Sequence, residues 1–219
     1  MLNNKTILVT GGTGSFGKCF TKYVLKNYNP KKIIIYSRDE FKQWMMANEF
    51  KEHADKLRFF IGDVRDLDRM KRAFVGVDYV IHAAAMKQVP ACEYNPNEAI
   101  KTNIVGAQNV IEASLDSDTV KKVVALSTDK AVNPTNVMGA TKRMTELLLQ
   151  ANGNNGVTKM AAVRFGNVLG SNGSVIPIFT RQIAEGGPVT ITHKDIQRYF
   201  MTIPEAAQLV LQAGYYADT

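Results

Sequence analysis

Across its 219 residues the chain is 45% apolar and 21% charged, enough to bury a full core in one domain and too apolar for a disordered chain. Its formal charge of +7 would suit nucleic acid, but the lysines and arginines are scattered and no aromatic-interleaved basic patch occurs; anionic small ligands explain the charge as well, and no nucleic-acid partner is expected. No stretch approaches the ~20 apolar residues of a membrane span, and Met1-Leu2-Asn3-Asn4-Lys5 lacks a secretory apolar region, so a cytoplasmic protein without membrane attachment is expected.

The first predicted strand, Thr6 to Thr10, is an apolar run of the kind a parallel sheet buries on both faces. Thr10-Gly11-Gly12-Thr13-Gly14-Ser15-Phe16-Gly17 follows it and opens a helical pattern over Ser15 to Asn27. In that setting the spacing of Gly12, Gly14 and Gly17 is a dinucleotide fingerprint. One glycine makes the turn, one lets backbone approach the pyrophosphate, one permits helix-to-strand contact, and the free helix-start amides meet the anion. Gly11, Thr13, Gly14, Ser15, Phe16 and Gly17 are therefore candidate cofactor contacts.

The second strand, Lys32 to Tyr36, runs into Ser37 and Arg38. An NAD site would place an acid there for the ribose 2′-hydroxyl, whereas a hydroxyl and a guanidinium suit a 2′-phosphate. NADP is favoured; NAD stays the alternative because Asp39 and Glu40 stand immediately beyond. A helix over Glu40 to Phe50 and a strand over Leu57 to Ile61 lead to Asp63 and Val64. Asp63 either accepts a bond from the adenine amino group or caps the next helix, Leu67 to Phe74. The fourth strand, Tyr79 to His82, ends in Ala83, Ala84 and Ala85, where a cofactor can lie against backbone. His82 reads as a hydrogen-bonded strand-end residue.

After a helix over Glu98 to Leu115, the fifth strand, Lys122 to Ser127, delivers Thr128, Asp129 and Lys130 to its end. A hydroxyl, a carboxylate and an ammonium meet where open α/β sheets hold their ligands. The helix over Met138 to Gln150 carries Met138 and Lys142 on one face. The sixth strand, Met160 to Phe165, follows the turn signal Asn152-Gly153-Asn154-Asn155-Gly156. Beyond it, Gly166 to Gly173 reads as a binding loop, Ser174 to Glu185 as a helix, Val189 to Ile191 as a short strand, and the chain from Pro204 as a helix. Six strands alternating with helices imply an α/β fold, a doubly wound parallel sheet (Rossmann-like) with right-handed crossovers. The expected division is a dinucleotide-binding domain over 1–165 and a substrate-binding segment over 166–219. Cys19 and Cys92 lack metal-like spacing, His53 and His193 are isolated, and no metal site is expected.

With the glycine fingerprint, the Ala-rich fourth strand, Asn103, Thr128 and a helical Lys142 in order, the chain resembles the extended short-chain dehydrogenase/reductase family. More narrowly, Ser37-Arg38-Asp39-Glu40, Ala84-Ala85-Met86-Lys87-Gln88-Val89-Pro90, Ser127-Thr128-Asp129-Lys130-Ala131, Asn133-Pro134 and Arg164-Phe165-Gly166-Asn167-Val168-Leu169-Gly170-Ser171 are similar to the nucleotide-sugar 4,6-dehydratases of bacterial polysaccharide and glycan synthesis. The resemblance implies UDP-N-acetylglucosamine as substrate, a 4-keto-6-deoxy sugar as product, NADP as a recycled hydride carrier, Asn103 near the cofactor and a homo-oligomer. Family members usually place Tyr four residues before the helical Lys. Met138 stands there, as in a subgroup of these dehydratases, and favours inversion at C5 by that likeness alone. Relatives also carry a longer C-terminal part, so a partial substrate-binding region is expected.

On that resemblance, Thr128 bonds the C4 hydroxyl, Lys130 takes the C5 proton, Asp129 protonates the departing C6 hydroxyl and Lys142 holds the nicotinamide ribose. Lys130 then needs a depressed pKa and Asp129 a raised one. A thioether cannot take a proton, so Asp129 or Thr128, helped by water, is left for the C4 proton, while Met138 packs against substrate or core. Lys87, also a candidate cofactor contact, Asn167, Arg181 and Arg198 are candidates for the UDP-sugar, the arginines through bidentate bonds to diphosphate. Two rival readings are a nucleotide-sugar 4-epimerase, which needs no acid at C6, and a non-catalytic NADP-binding regulatory protein, which Met138 in place of Tyr favours.

Overall fold

The computed structural model describes residues 2–153, 157–171, 175–191 and 193–217. Strands β1 (Thr6–Thr10), β2 (Lys32–Ser37), β3 (Leu57–Ile61), β4 (Tyr79–His82), β5 (Lys122–Thr128) and β6 (Lys159–Phe165) form one parallel sheet in the order β3-β2-β1-β4-β5-β6. The order reverses between β1 and β4, which opens a crevice outside the carboxyl ends of those strands. Successive side chains alternate between faces and so split the core into two layers. Ile7, Val9, Ile33, Ile35 and Val124 belong to one; Leu8, Ile34, Tyr36, Val80 and Val123 belong to the other.

Helices α1 (Ser15–Asn27) and α2 (Glu40–Glu49) cover the first layer with Phe20, Val24 and Met46. The second is covered by α3 (Leu67–Phe74), α6 (Gly106–Leu115) and α7 (Val137–Asn152), through Met70, Phe74, Val110, Ile111 and Leu149. Two short helices, α4 (Val89–Tyr94) and α5 (Pro96–Ala99), lie between β4 and α6, while α8 (Val175–Ala184) and α9 (Ile203–Tyr216) follow β6. A capping box starts α9: the Thr202 N–H donates to Glu205 Oε2 at 2.7 Å and the Glu205 N–H to Thr202 Oγ1 at 3.3 Å. Its Ala206, Ala207 and Val210 are fully buried in the first layer, beside α1. Among the described residues no helix is long and apolar enough to cross a membrane.

Three departures from the sequence expectation have physical causes. The expected helix over Glu98 to Leu115 begins at Pro96 and is interrupted by a π turn over Ile100–Val105. In that widened turn the Asn103 carbonyl accepts a bond from Thr145 Oγ1 at 2.9 Å, a tertiary partner that periodicity does not reveal. Helix α4 was not expected at all. Six residues with a proline at the second position carry no helical repeat, and tertiary contact stabilises it: Cys92 is buried against Met138, and the Glu93 carboxylate accepts the Val137 N–H at 2.7 Å. Finally, Val189 to Ile191 form no strand, because the Thr190 N–H is taken by Gln182 Oε1 at 3.2 Å. The strands beyond β6 are instead β7 (Asn167–Val168) and β8 (Phe200–Met201), a parallel pair. The expected turn residues Asn154, Asn155 and Gly156, the loop residues Asn172 and Gly173, and the helix start at Ser174 lie outside the described residues.

The α1–sheet contact is the most direct test of this packing. Phe20 is fully buried there, so Phe20→Ala should lower the unfolding free energy by about 3–5 kcal/mol, read as a reduced urea midpoint at an unchanged slope.

Candidate functional site

The β1–β4 crevice is lined by the glycine turn. Gly11 adopts φ +63°, and a Cβ there would lie 2.9 Å from the Ala84 backbone, so only glycine brings the turn this close to the end of β4. The loop after β4 is fixed in turn by Thr10, whose hydroxyl accepts the Ala83 and Ala84 N–H groups at 3.1 and 3.2 Å. Gly14 precedes the first turn of α1, which carries no capping side chain and no acid. Anion-binding amides with nothing negative beside them fit a dinucleotide pyrophosphate. Thr13, Ser15 and Phe16 are partly exposed around this turn and Gly17 is buried; the Phe16 ring packs tilted against Phe165 of β6, ring centroids 5.8 Å apart.

At the end of β2, Ser37 is buried and its hydroxyl accepts from Gln43 Nε2 at 3.0 Å. Arg38 is exposed, its guanidinium 3.5 Å from the Asp63 carboxylate. Asp63 does not cap α3, a role that falls to Asp66 through the Arg69 N–H at 3.0 Å. It is gripped instead by Arg65, whose NH2 and Nε lie 2.8 and 3.0 Å from Oδ2. Burial works to raise the Asp63 pKa, but the Arg65 and Arg38 contacts prevail and hold it below the usual carboxylate range. Asp39 is occupied as the cap of α2, accepting the Lys42 N–H at 2.9 Å. Val64 is buried in the second core layer, and Ala85 and Lys87 lie on the loop after β4. Asn103 is enclosed: its side chain accepts the Met86 N–H at 2.7 Å and donates to Met86 O and Thr141 Oγ1, each at 2.9 Å. It therefore fixes the alanine loop to α7.

Thr128, Asp129 and Lys130 meet at the end of β5. Thr128 Oγ1 donates to Asp129 Oδ1 at 2.9 Å, and Lys130 Nζ donates to the same oxygen at 3.0 Å. Lys130 Nζ also lies 3.5 Å from Asn167 Oδ1, which ties the start of β7 to the turn. The two charged side chains are half-buried, 31% and 29% exposed, and not loose in solvent. One expectation is corrected here. Burial pushes the Asp129 carboxyl upward, but bonds from Lys130 and Thr128 outweigh it and leave its pKa lowered, because an ammonium and a hydroxyl both stabilise the anion.

Helix α7 presses its amino end against this turn, where a Cβ at Gly139 would lie 2.5 Å from Lys130 O. Lys142 is 6% exposed, and burial pushes its ammonium down to about 8 while Glu146 draws it back up. Met138 packs with Cys92 and Ala99 in a small apolar cluster. Arg181 and Arg198 are not brought to the turn by any bond: Arg181 is exposed 4.0 Å from Glu185, and Arg198 donates to Gln197 O at 2.7 Å. A group that sequence reasoning passed over is Glu146 with Ser127 and Arg164. Its signal was an acid one helical turn beyond Lys142, on the face that also holds Leu149.

The polysaccharide biosynthesis protein family matches residues 7–219. The chain belongs to this family. It is 54% identical over 215 residues to the UDP-N-acetylglucosamine 4,6-dehydratase (inverting) of Campylobacter jejuni subsp. jejuni serotype O:2, a match covering 96% of this chain and 64% of that protein. It is 46% identical over 219 residues to the UDP-glucose 4-epimerase of Rickettsia akari, covering 97% and 63%. The X-ray structure of Pen from Bacillus thuringiensis superposes with a TM-score of 0.91 at 43% identity, over 97% of this chain and 65% of that one. The chain thus spans a little under two thirds of the length of these relatives.

Behind the alanine loop, His82 is fully enclosed. Thr10 Oγ1 already accepts two amides, so its own hydrogen goes to His82 Nδ1, 2.8 Å away, and the ring hydrogen sits on Nε2. Burial, and then the nearby Lys142 ammonium, hold the imidazole pKa down from 6.5 to about 3. The unfolded chain therefore binds this proton first. The neutral ring's contribution is complete above about pH 6.5 and is lost as pH falls from there towards 3. Between pH 7 and pH 5 the wild type should lose about 2 kcal/mol that a His82→Asn variant does not lose, measured as the change in urea unfolding free energy of each.

Proposed function

We propose that this chain carries the dinucleotide-binding and reacting part of a UDP-N-acetylglucosamine 4,6-dehydratase that inverts C5, a lyase serving surface-polysaccharide or glycan synthesis. The observation that carries the reading is the shared contact of Thr128 and Lys130 on one Asp129 oxygen, at 2.9 and 3.0 Å, at the carboxyl end of a strand beside the cofactor crevice. The name of the Campylobacter relative supports the same substrate and stereochemistry.

Gly11, Thr13, Gly14, Ser15, Phe16 and Gly17 would hold the dinucleotide phosphates, with Ala83, Ala84 and Ala85 against its body and Lys142 at its ribose. When bound, a nicotinamide dinucleotide supplies the hydride acceptor for oxidation at C4 and the hydride for reduction at C6. Thr128 orients the C4 hydroxyl. Once C4 is a ketone the C5 hydrogen is acidic, Lys130 takes it as a neutral amine, and Asp129 gives its proton to the C6 hydroxyl, which leaves as water. Lys130 is then an ammonium and Asp129 a carboxylate. One proton passing back across their 3.0 Å hydrogen bond restores the starting pair, while the proton that the C4 hydroxyl sheds through Thr128 to water is balanced by one that C5 takes from water as hydride reaches C6.

Asp129 can serve as the acid although its pKa is lowered. The ion pair and the neutral pair carry the same number of protons, and a dry, closed site favours the neutral one because charge separation costs more at low dielectric. Lys87, on the loop after β4, Asn167, 3.5 Å from Lys130 Nζ, and Arg181 and Arg198, on the segment after β6, are assigned to the UDP-sugar. Exposed Arg38, together with the diversion of Asp39 into helix capping, supports NADP over NAD.

The Rickettsia relative's name supports a second reading, a 4-epimerase. The 219-residue chain incubated with UDP-N-acetylglucosamine and NADP in deuterated water separates the two: dehydration gives a product lighter by one water with deuterium at C5, epimerisation one of unchanged mass. Lys130→Ala should abolish C5 exchange, and exchange persisting at the wild-type rate would remove Lys130 as the base. Arg38→Ala should weaken NADP roughly tenfold or more relative to NAD, the worth of one charge-assisted bond, as measured by calorimetric titration of each dinucleotide.

A further inference from the structure

Glu146 takes no part in the steps above, yet its carboxylate is buried, with a side chain 9% exposed. Oε1 accepts from Ser127 Oγ at 2.6 Å and Arg164 Nε at 2.9 Å; Oε2 accepts from Arg164 NH2 at 2.7 Å and Arg143 NH1 at 2.9 Å. Ser127 and Arg164 are register partners on β5 and β6. Ser127 immediately precedes Thr128, and Arg164 stands three residues before Asn167, which contacts Lys130. Four bonds on one desolvated anion make a different object from an exposed surface pair, whose worth is small. Along α7, Glu146 lies one helical turn from Lys142, on the same buried face.

A purely structural clamp could be an amide. Burial opposes the charge, yet Arg164, Ser127 and Arg143 bring the Glu146 carboxyl down to about 2, so it is an anion at every working pH. Lys142 needs such a neighbour because burial alone drives an ammonium towards neutrality. The other ionisable groups on elements packed around α7 are largely self-compensating: Asp129 with Lys130 on the turn, Glu98 with Lys101 on α5 and the π turn, and Glu112 of α6 with Lys71. Glu93 on α4 is bonded to the Val137 amide beside buried Cys92, and His82 on β4 is neutral.

We propose that Glu146 is a positioning residue of this site: it clamps Ser127 to Arg164, so fixing the strand ends that carry Thr128 and Asn167, and its charge keeps Lys142 an ammonium. Its consequence for turnover rests on the dehydratase reading; its effect on Lys142 does not.

Carbon-13 labelling at lysine Cε, with the Lys142 resonance assigned by its loss in Lys142→Arg, gives the Lys142 titration midpoint without any reaction. Glu146→Gln keeps the shape and an acceptor but removes the charge, and should lower that midpoint by roughly one pH unit or more. Arg164→Gln leaves the Glu146 charge less compensated and should raise it. General structural damage does not move the two variants in opposite directions. In the wild type and both variants, the alkaline limb of kcat for dehydration should follow the measured midpoint. An unmoved midpoint in Glu146→Gln, or two variants shifting the same way, overturns the proposal, and Arg164→Gln tests its sign even where Glu146→Gln does not fold. Opposite shifts in a wild-type background that forms no dehydrated product would uphold the effect on Lys142 and sink the dehydratase reading instead.

Discussion

A parallel sheet covered on both faces gives polar side chains no solvent along its central strands, and that constraint organises this molecule. Every residue of β1 and β4 is buried, so groups with chemistry to offer stand where strands end. Gly11 and Ala84 follow β1 and β4, Arg38 follows β2, Asp129 and Lys130 follow β5, and Asn167 follows β6. The six strands point the same way, so these ends fall along one edge. The reversal of order between β1 and β4 splays two of them apart and makes room for a ligand. What brings α7 into the same place is the missing side chain at Gly139, which lets the helix abut the backbone of Lys130.

The elements legible in the sequence were those whose cause is local or periodic. Continuous apolar runs marked all six strands of the sheet, and the glycine turn between β1 and α1 announced itself by spacing. What stayed hidden depends on partners distant in sequence. Helix α4 exists because Cys92 and Glu93 find α7 more than forty residues on, and the π turn exists beside Thr145 of the same helix. Val189 to Ile191 has the composition of a strand, but a strand also needs a neighbour, and a glutamine side chain took its amide instead. At the site, residue types were legible and partnerships were not. Asp63 looked like an adenine acceptor or a cap, whereas the arginine two residues on claims its carboxylate.

Electrostatics around α7 shows why pairing decides more than burial here. His82, Lys142, Asp129 and Glu146 are all desolvated to some degree. His82 lacks an anionic partner and becomes neutral; Glu146 has two arginines and a hydroxyl and stays charged. Lys142 lies between these cases, pushed to about 8 with one anion a helical turn away. Asp129, held below its usual range by a lysine and a threonine, resembles Glu146 in sign. It differs in exposure: the Asp129 side chain is 29% exposed, that of Glu146 9%.

One residue on the same helix has no charge to pair. Met138 holds the helix position, one turn before Lys142, where a phenol would carry a proton, and its side chain packs with Cys92 and Ala99. This contact docks the first turn of α7 onto α4, which in turn supplies the Glu93 carboxylate for the Val137 amide. A methionine suits such a place because its flexible, polarisable chain fills an irregular gap without a polar atom to satisfy. With no titratable group at position 138, proton traffic under the dehydratase reading must run through the continuous bonds from Thr128 and Lys130 to Asp129. A hydroxyl, a carboxyl and an amine on adjacent residues can then divide among themselves what a phenol and a separate acid-base pair would otherwise do. The division demands a turn held rigidly enough for all three to keep their places.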